Sequence, residues 1–328
     1  MLQIVPAKHQ NATNNLHTSN TVYLTRRLTM LTSISSRLTA LLALTYLTPA
    51  AAHPALSPRG KPSPPKFIPQ NATFGDLRWQ PALDFDQDGC YNVPAISATG
   101  DIAQGLYNRV QGLSSHCHDA SDLDNNNVYS RQRCNNGWCA YFYEYYFEKD
   151  VAVPWFVFDV GHRHDWEHIV VWVQNYTTAK YVAASRHGKF DVRPASKVHW
   201  DGSHPKMVYH KELLGTHTFR FAKSEDDKVE NHKGTWFRGP LVSYNGFPPG
   251  VRDKLFAHTF GHGTIAFKDE WFASNLKNAM PNGIKFDPGK DVRSPGTPGL
   301  CNPAEQEVAA KLVTLSTSIG QFDALICQ

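Results

Sequence analysis

The sequence predicts a mainly β protein: a single-domain β-sandwich with a few peripheral helices. Three observations carry that prediction. The apolar runs are short, aromatic and β-branched, at residues 140–147 (AYFYEYYF), 155–160 (WFVFDV), 168–173 (HIVVWV), 180–185 (KYVAAS), 206–210 (KMVYH), 216–222 (THTFRFA) and 239–244 (GPLVSY). Such runs suit a pleated, half-buried surface. Clusters of Gly, Pro, Asn and Asp punctuate them, as turns between strands require. From residue 67 onward the chain carries neither a linker nor an internal repeat, and about 260 residues is an acceptable size for one β-rich domain.

Residues 1–52 carry Lys8, Arg26, Arg27 and Arg37, no acidic residue, and an apolar run that begins at Leu38 and exits through Ala50 and Ala52. That is the layout of a secretory signal. The run is too short, and too rich in Thr and Pro, for a membrane span. Met30 reads as the natural start, so the signal peptide is placed at 30–52 and residues 1–29 are read as an upstream extension. Residues 53–66 (HPALSPRGKPSPPK) form a proline-rich spacer, and residues 67–328 form the domain. Within the domain, helices are expected at 97–111, at 270–280 with Trp271, Leu276 and Met280 on one face, and at 303–315, which opens on Pro303.

Taking the four basic residues of the signal from 33 Lys+Arg leaves 29, equal to the 29 Asp+Glu. A near-neutral mature chain gives no electrostatic reason to expect nucleic acid, whose binding rests on many phosphate contacts. All six cysteines (Cys90, Cys117, Cys134, Cys139, Cys301, Cys327) follow the signal, and an even count in an exported chain favours disulfides, with fifteen pairings open in principle. Asn71 and Asn175 open N-x-T sequons that the export route can glycosylate. Asp84, Asp86 and Asp88 imitate the start of an EF-hand loop, but Ala95 stands where a bidentate Glu is required. A looser Ca²⁺ site and an acidic surface turn remain the alternatives there.

The densest chemistry is GHRHDWEH at 161–168, which runs into IVVWV. HDWEH matches the HxxEH pattern of zinc peptidases, which needs a helix to bring both histidines onto one face. The flanks are strand-like, and on a strand His164 and His168 stand about 13 Å apart, too far for one zinc. The carboxylates fit better. On an extended segment Asp165 and Glu167 share a face, a turn freed by Gly161 can swing His162 toward them, and Asp150 can add an oxygen from a loop after the preceding strand. Two carboxylates with one imidazole form a mainly oxygen site, which suits Mg²⁺, Ca²⁺ or Mn²⁺ better than zinc or copper. The bland alternative is a set of salt bridges to Arg163, Arg186 or Lys149.

GHRHDWE also resembles the signature heptapeptide of the necrosis- and ethylene-inducing peptide-like proteins, cytolysins secreted by plant-associated microbes. The blocks at 79–92 (WQPALDFDQDGCYN), 121–150, 185–190 (SRHGKF) and 260–279 (FGHGTIAFKDEWFASNLKNA) are similar to family blocks, and the extra cysteines resemble the type II subgroup. The resemblance implies an actinoporin-like β-sandwich and a divalent cation, Mg or Ca, held by Asp150, His162, Asp165 and Glu167, with His164 and Trp166 as packing groups. It implies the disulfides Cys90–Cys117 and Cys134–Cys139, leaving Cys301 with Cys327. It further implies binding to plant glycosylinositol phosphorylceramide sphingolipids at the host plasma membrane, without enzymatic turnover. Tyr244 takes the place of a loop tryptophan that makes the membrane or sugar contact in relatives. Its smaller ring opens a second reading, a secreted protein without cytolysis whose segment 140–163 a plant immune receptor perceives. A metallohydrolase is the third.

Overall fold

The computed structural model describes residues 63–108, 112–153, 161–213, 215–292 and 294–299. The strands are β1 (Ala82–Phe85), β2 (Val128–Asn135), β3 (Trp138–Val151), β4 (Gly161–Gln174), β5 (Thr178–Arg186), β6 (Lys189–Pro194), β7 (Trp200–Asp201), β8 (His204–Lys211), β9 (His217–Phe221) and β10 (Leu241–Ser243). The helices are α1 (Phe74–Trp79), α2 (Ala120–Asp124), α3 (Val251–Ala257) and α4 (Asp269–Ala279). Six strands form one sheet in the order β10-β2-β3-β4-β5-β6; in the second, β8 lies between β1 and β9, and β7 pairs with its first residues.

Strand alternation sorts β3 and β4 onto two cores. Tyr141, Tyr143, Tyr145 and Phe147, with Ile169, Val171 and Val173, face the second sheet and pack on Phe85, Met207, Tyr209 and Phe219. Phe142 and Tyr146, with Trp166, Val170 and Trp172, face the other way, onto Leu255, Phe272 and Leu276 of α3 and α4. The six-stranded sheet is therefore buried on both faces, and the sandwich carries a helical third layer. This explains why the apolar runs of β3 and β4 are continuous instead of alternating with polar residues.

Several expectations are corrected. Residues 97–108 form no helix. Gly100 and Gly105 sit in the left-handed region at φ 86° and 66°, and Ser97 Oγ accepts from the Thr99 and Asp101 amides. That local capture competes with helical pairing. In α4 the buried residues are Phe272, Leu276 and Ala279, spaced i, i+4, i+7, while Trp271 is 47% exposed. Asp150 does not come from a loop, because β3 extends through it and pairs it with His162. β4 begins at Gly161 and includes the whole motif, so His162 lies within the strand. The expected strand at 155–160 and helix at 303–315 lie outside the described residues.

β2 was not expected, because its VYSRQRCN reads as polar. Each buried polar side chain there finds a partner, as burial demands: Arg131 donates to the Phe267 carbonyl at 2.7 Å, Gln132 to Pro295 O, and Arg133 to Asp291. The guanidiniums also interleave with rings. Arg133 lies over Phe272, Arg131 over Phe272 and Tyr244, and Arg252 over Tyr244, at 4.1–4.7 Å. This ladder ties α3 and α4 to β2. Tyr244 follows the end of β10, its ring between two guanidiniums and its hydroxyl donating to Asp269 at 3.1 Å.

Tyr244→Ala is expected to lower unfolding free energy by about 2 kcal/mol through loss of both cation–π contacts and ring burial. Tyr244→Phe should cost under about 1 kcal/mol, the scale of one exposed hydrogen bond. Urea titration of both variants measures the difference, and equal stabilities would contradict the ladder's role.

Candidate metal centre

In a regular strand His162 and Asp165, an odd number of residues apart, point to opposite faces. Here they converge, with His162 Nε2 4.0 Å from Asp165 Oδ1. The break in alternation is His164, at φ 63°, a left-handed conformation in which His is enriched among non-glycine residues. Its ring is held by the Tyr146 hydroxyl at 2.7 Å and by Phe260, edge to face. Burial, with Arg163 and neighbouring histidines, holds its pKa down to about 4. His164 is thus a neutral packing group. Gly161 is needed one step earlier. At its φ of 154° a Cβ would lie 2.3 Å from the Asp150 carbonyl oxygen, so only glycine lets the last rungs, Asp150↔His162 and Val151↔Gly161, close.

The kink gathers three groups. Asp150, His162 and Asp165 each offer one ligand atom, and these atoms lie within 4.8 Å of one another. Ligand atoms around one hard cation, bonded at about 2.0–2.6 Å, lie within about 5 Å of each other. His162 Nδ1 faces the His164 carbonyl oxygen at 2.9 Å. A carbonyl only accepts, so Nδ1 carries a proton, and Nε2 is the ring nitrogen that could serve a cation at the cluster.

The electrostatics describe a site short of positive charge. Burial and then the Asp150 charge push the Asp165 carboxyl up to about 7. Burial and then Asp165 push Glu167 well above the carboxylate range. Glu167 stands beside the cluster of three, not within it; the Ser185 hydroxyl donates to its Oε2, and Ser185 Oγ accepts from the His168 amide at 2.7 Å. His217, on β9, supplies the partner of Asp150. Its amide and its Nδ1 both meet that carboxylate, the latter at 2.7 Å. Burial opposes charge on His217, but the bonds to Asp150 and Asp88 outweigh it and raise its pKa to about 9. Buried carboxylates facing an imidazole lone pair fit a hard divalent cation. The same donors give no tetrahedral sulfur or multi-histidine set of the kind structural zinc prefers.

The remaining site residues scatter. Tyr244 follows Ser243, which is in register with Ser130 and through it with Tyr143; Asp150 is seven or eight residues further along β3, on the order of 25 Å away. The acidic loop is not a cation site of its own. Asp84 is buried and accepts from the amides of Glu230 and Asn231, Asp86 pairs with Arg220, and Asp88 pairs with His217. The disulfides Cys90–Cys117 and Cys134–Cys139 are present, while Cys301 and Cys327 lie outside the described residues. Asn175 is exposed in the β4–β5 turn at φ 52°. Asn71 is also exposed, with its side-chain amide donating to Gly246 O. Sequence reasoning missed His217, Ser185 and Leu213. The last is 92% exposed in the β8–β9 turn, at the same end of the sandwich as the cluster. Only the pairing of distant strands brings these residues to the motif, so no local signal marks them.

The family model described as necrosis inducing protein (NPP1) matches residues 75–279. The chain is 31% identical over 232 residues to NLP effector protein 10 of Phytophthora capsici, covering 69% of this chain and 90% of the relative. Among solved structures it is similar to NLPPya in complex with glucosamine, at 28% identity and TM-score 0.55, covering 67% of this chain and 97% of the other. A further similar structure, described as a toxin fold as basis for microbial attack and plant defense, gives 27% identity and TM-score 0.56, covering 66% and 97%.

Without a cation, the raised Asp165 pKa means that the folded chain holds a proton the unfolded chain has released between about pH 4 and pH 7. Stability should therefore fall as pH rises through that window. Saturating Ca²⁺ or Mg²⁺ should reverse this, adding about 2–3 kcal/mol at pH 8 and almost nothing at pH 5. Thermal melts with and without EDTA at the two pH values measure it. Gly161→Ala should cost about 1–3 kcal/mol from backbone strain alone and weaken the cation effect at pH 8.

Proposed function

The chain belongs to the necrosis-inducing protein family, and from that premise we propose that it is a secreted, cation-dependent cytolysin that docks on the sugar head groups of plant sphingolipids and damages the plasma membrane. The observation that carries this reading is the convergence of Asp150, His162 and Asp165 at one end of the sandwich, with Glu167 beside them. A bound Mg²⁺ or Ca²⁺ would offset the buried carboxylates and offer open positions to sugar hydroxyls. The side chains hold and orient; on this reading no group turns over substrate. Support for a sugar partner comes from one similar protein, NLPPya, seen in complex with glucosamine and with mannosamine.

On the proposed reading, membrane contact belongs to the cluster's own end. Leu213 presents almost its whole side chain to solvent there, whereas Tyr244 is clamped at a distance. Burying one leucine in the interface is worth about 1.5–3 kcal/mol. The rival reading, a non-cytolytic protein perceived through residues 140–163, must meet a physical condition. β3 is buried along nearly its whole length in the middle of the sheet, so a receptor would read the β3 part of that segment only after unfolding or proteolysis.

Calcein leakage from vesicles of eudicot plasma-membrane lipid tests the proposal. Wild-type protein should release dye, EDTA should stop release, and Asp165→Ala and Glu167→Ala should abolish it while near-native circular dichroism is retained. Leu213→Asp should lower vesicle binding about tenfold or more. Full leakage by either carboxylate variant would falsify the reading.

A further inference from the structure

Tyr91 and His118 each follow a cysteine of one disulfide, Cys90–Cys117. That bridge, with the Tyr91 amide donating to the Cys117 carbonyl at 2.7 Å, sets the two rings face to face with centres 4.1 Å apart. A third ring comes from a distant loop. His232 Nδ1 meets the Tyr91 hydroxyl at 2.7 Å, and the His232 amide donates to the same oxygen at 3.0 Å. Asp84 on β1 fixes this loop by accepting from the amides of Glu230 and Asn231 and from the Asn231 side chain. Three segments thus converge on one spot, and none of these residues is a member of the cation cluster.

The two histidines present matching nitrogens. His118 Nδ1 faces the Gly89 carbonyl oxygen, which only accepts, so Nδ1 carries a proton. Burial holds the His118 pKa below its ordinary value, so the ring is neutral and its Nε2 is a lone pair. That atom is buried and has no hydrogen-bond partner among the described residues. A buried acceptor left unmatched calls for a water or an ion. The His232 ring stands 5.5 Å away, centre to centre, tilted by 53°. Two imidazoles on one zinc, bonded at about 2.0–2.1 Å with a tetrahedral angle, have centres about 5–5.5 Å apart. His232 is engaged through Nδ1, so Nε2 is again the nitrogen left over. A second ring nitrogen bonded to a carbonyl or hydroxyl is what fixes the orientation of a ligating histidine. His232 is exposed, which opens the spot to ions from solvent, and Asp119 and Asp122 nearby favour positive charge there.

We propose that His118 and His232 form a second metal site, in which their two Nε2 atoms hold a transition-metal dication of the Zn²⁺ or Cu²⁺ class and water completes its shell. Imidazole nitrogen suits these ions, whereas Mg²⁺ and Ca²⁺ seek oxygen. The chain therefore carries two sites that differ in ion class. A bound ion staples the loop of His232 to the disulfide-linked segments, adding a cross-link that the side-chain hydrogen bonds alone do not supply. The proposal stands apart from the cytolysin reading and does not depend on it.

Calorimetric titration of the untagged mature protein with Zn²⁺, in saturating Ca²⁺ so that the hard-cation cluster is occupied, tests it. Wild type should bind one equivalent, and Asp165→Ala should bind it equally well. His118→Phe keeps a ring against Tyr91 and loses the nitrogen; His232→Ala removes only an exposed ring. Each should weaken Zn²⁺ about tenfold or more and cancel the rise in melting temperature that Zn²⁺ gives the wild type. In EDTA His232→Ala should melt like wild type, so its loss of zinc cannot be put down to misfolding. Absence of zinc binding by the wild type would overturn the proposal, since a water then meets the His118 lone pair. Zinc binding lost in Asp165→Ala and kept in His232→Ala would overturn it as well, by assigning the ion to the other cluster. Dye leakage is not among the readouts, so the second site can fail while the cation-dependent function stands.

Discussion

The end of the sandwich that carries the candidate metal centre depends on one electrostatic cost. Three carboxylates, Asp150, Asp165 and Glu167, are buried at the end of the β3–β4 ladder, where each raises the free energy of its neighbours' charged forms. Burial of an unpaired charge is costly enough that groups neutralise instead. The chain meets the cost in two ways. His217 brings a positive charge to Asp150, and Asp165 and Glu167 are pushed toward their protonated forms. Neither way satisfies all three. The remainder is a charge that a bound cation could offset, and His162 is the third group that could hold it. The cluster is thus an outcome of folding: the hydrophobic packing of β3 and β4 on two faces holds the carboxylates together at a cost they would not accept alone.

That packing demands regular alternation along most of the ladder and its violation at one residue. From Phe142 to Phe147 alternate side chains serve the two cores, and any slip would exchange them. At His164 the backbone turns left-handed, and beyond it His162 and Asp150 face the carboxylates. The kink is bought locally by the Tyr146 hydroxyl and Phe260, and made sterically possible by Gly161. Two further glycines admit it from outside: a Cβ at Gly105 would lie 2.6 Å from the His164 ring, and one at Gly263 would lie 3.0 Å from its carbonyl oxygen.

Much of this was legible in the sequence, and the boundary is physical. The strand census gave the mainly β class because β-branched and aromatic runs report burial directly. Parity along an extended segment turned attention from the histidines to Asp165 and Glu167. What parity could not give was His162, since regular alternation places it on the wrong face, and the swing expected at Gly161 comes instead from a kink three residues later inside the strand, at His164. β2 was invisible for a related reason: its buried arginines are made tolerable by Phe272, Tyr244 and the acids of distant loops. The Ser97 segment failed as a helix because its serine and glycines favour turns, a signal present in the sequence and outweighed there by apolar spacing. His217 and Ser185 reach the motif only through strand pairing, which no local pattern encodes.

The two ends of the six-stranded sheet then differ in kind. At the Tyr244 end guanidiniums stack on rings and Arg131 pairs with Asp269, so a ligand there would first have to displace these protein partners. At the Asp165 end charges are crowded and polar groups lack full compensation, and Leu213 stands in solvent beside them. Binding energy is available where the folded chain has left interactions unmade, because a ligand need not first displace a protein partner. An aromatic residue in the position expected for membrane contact can therefore be structural, while an exposed aliphatic one in an unremarked turn can do the contacting. Exposure and unmet electrostatics locate the working surface better than residue type does. By that criterion the proposed working face is the end of the sandwich that holds Asp150, His162 and Asp165 together with the exposed Leu213.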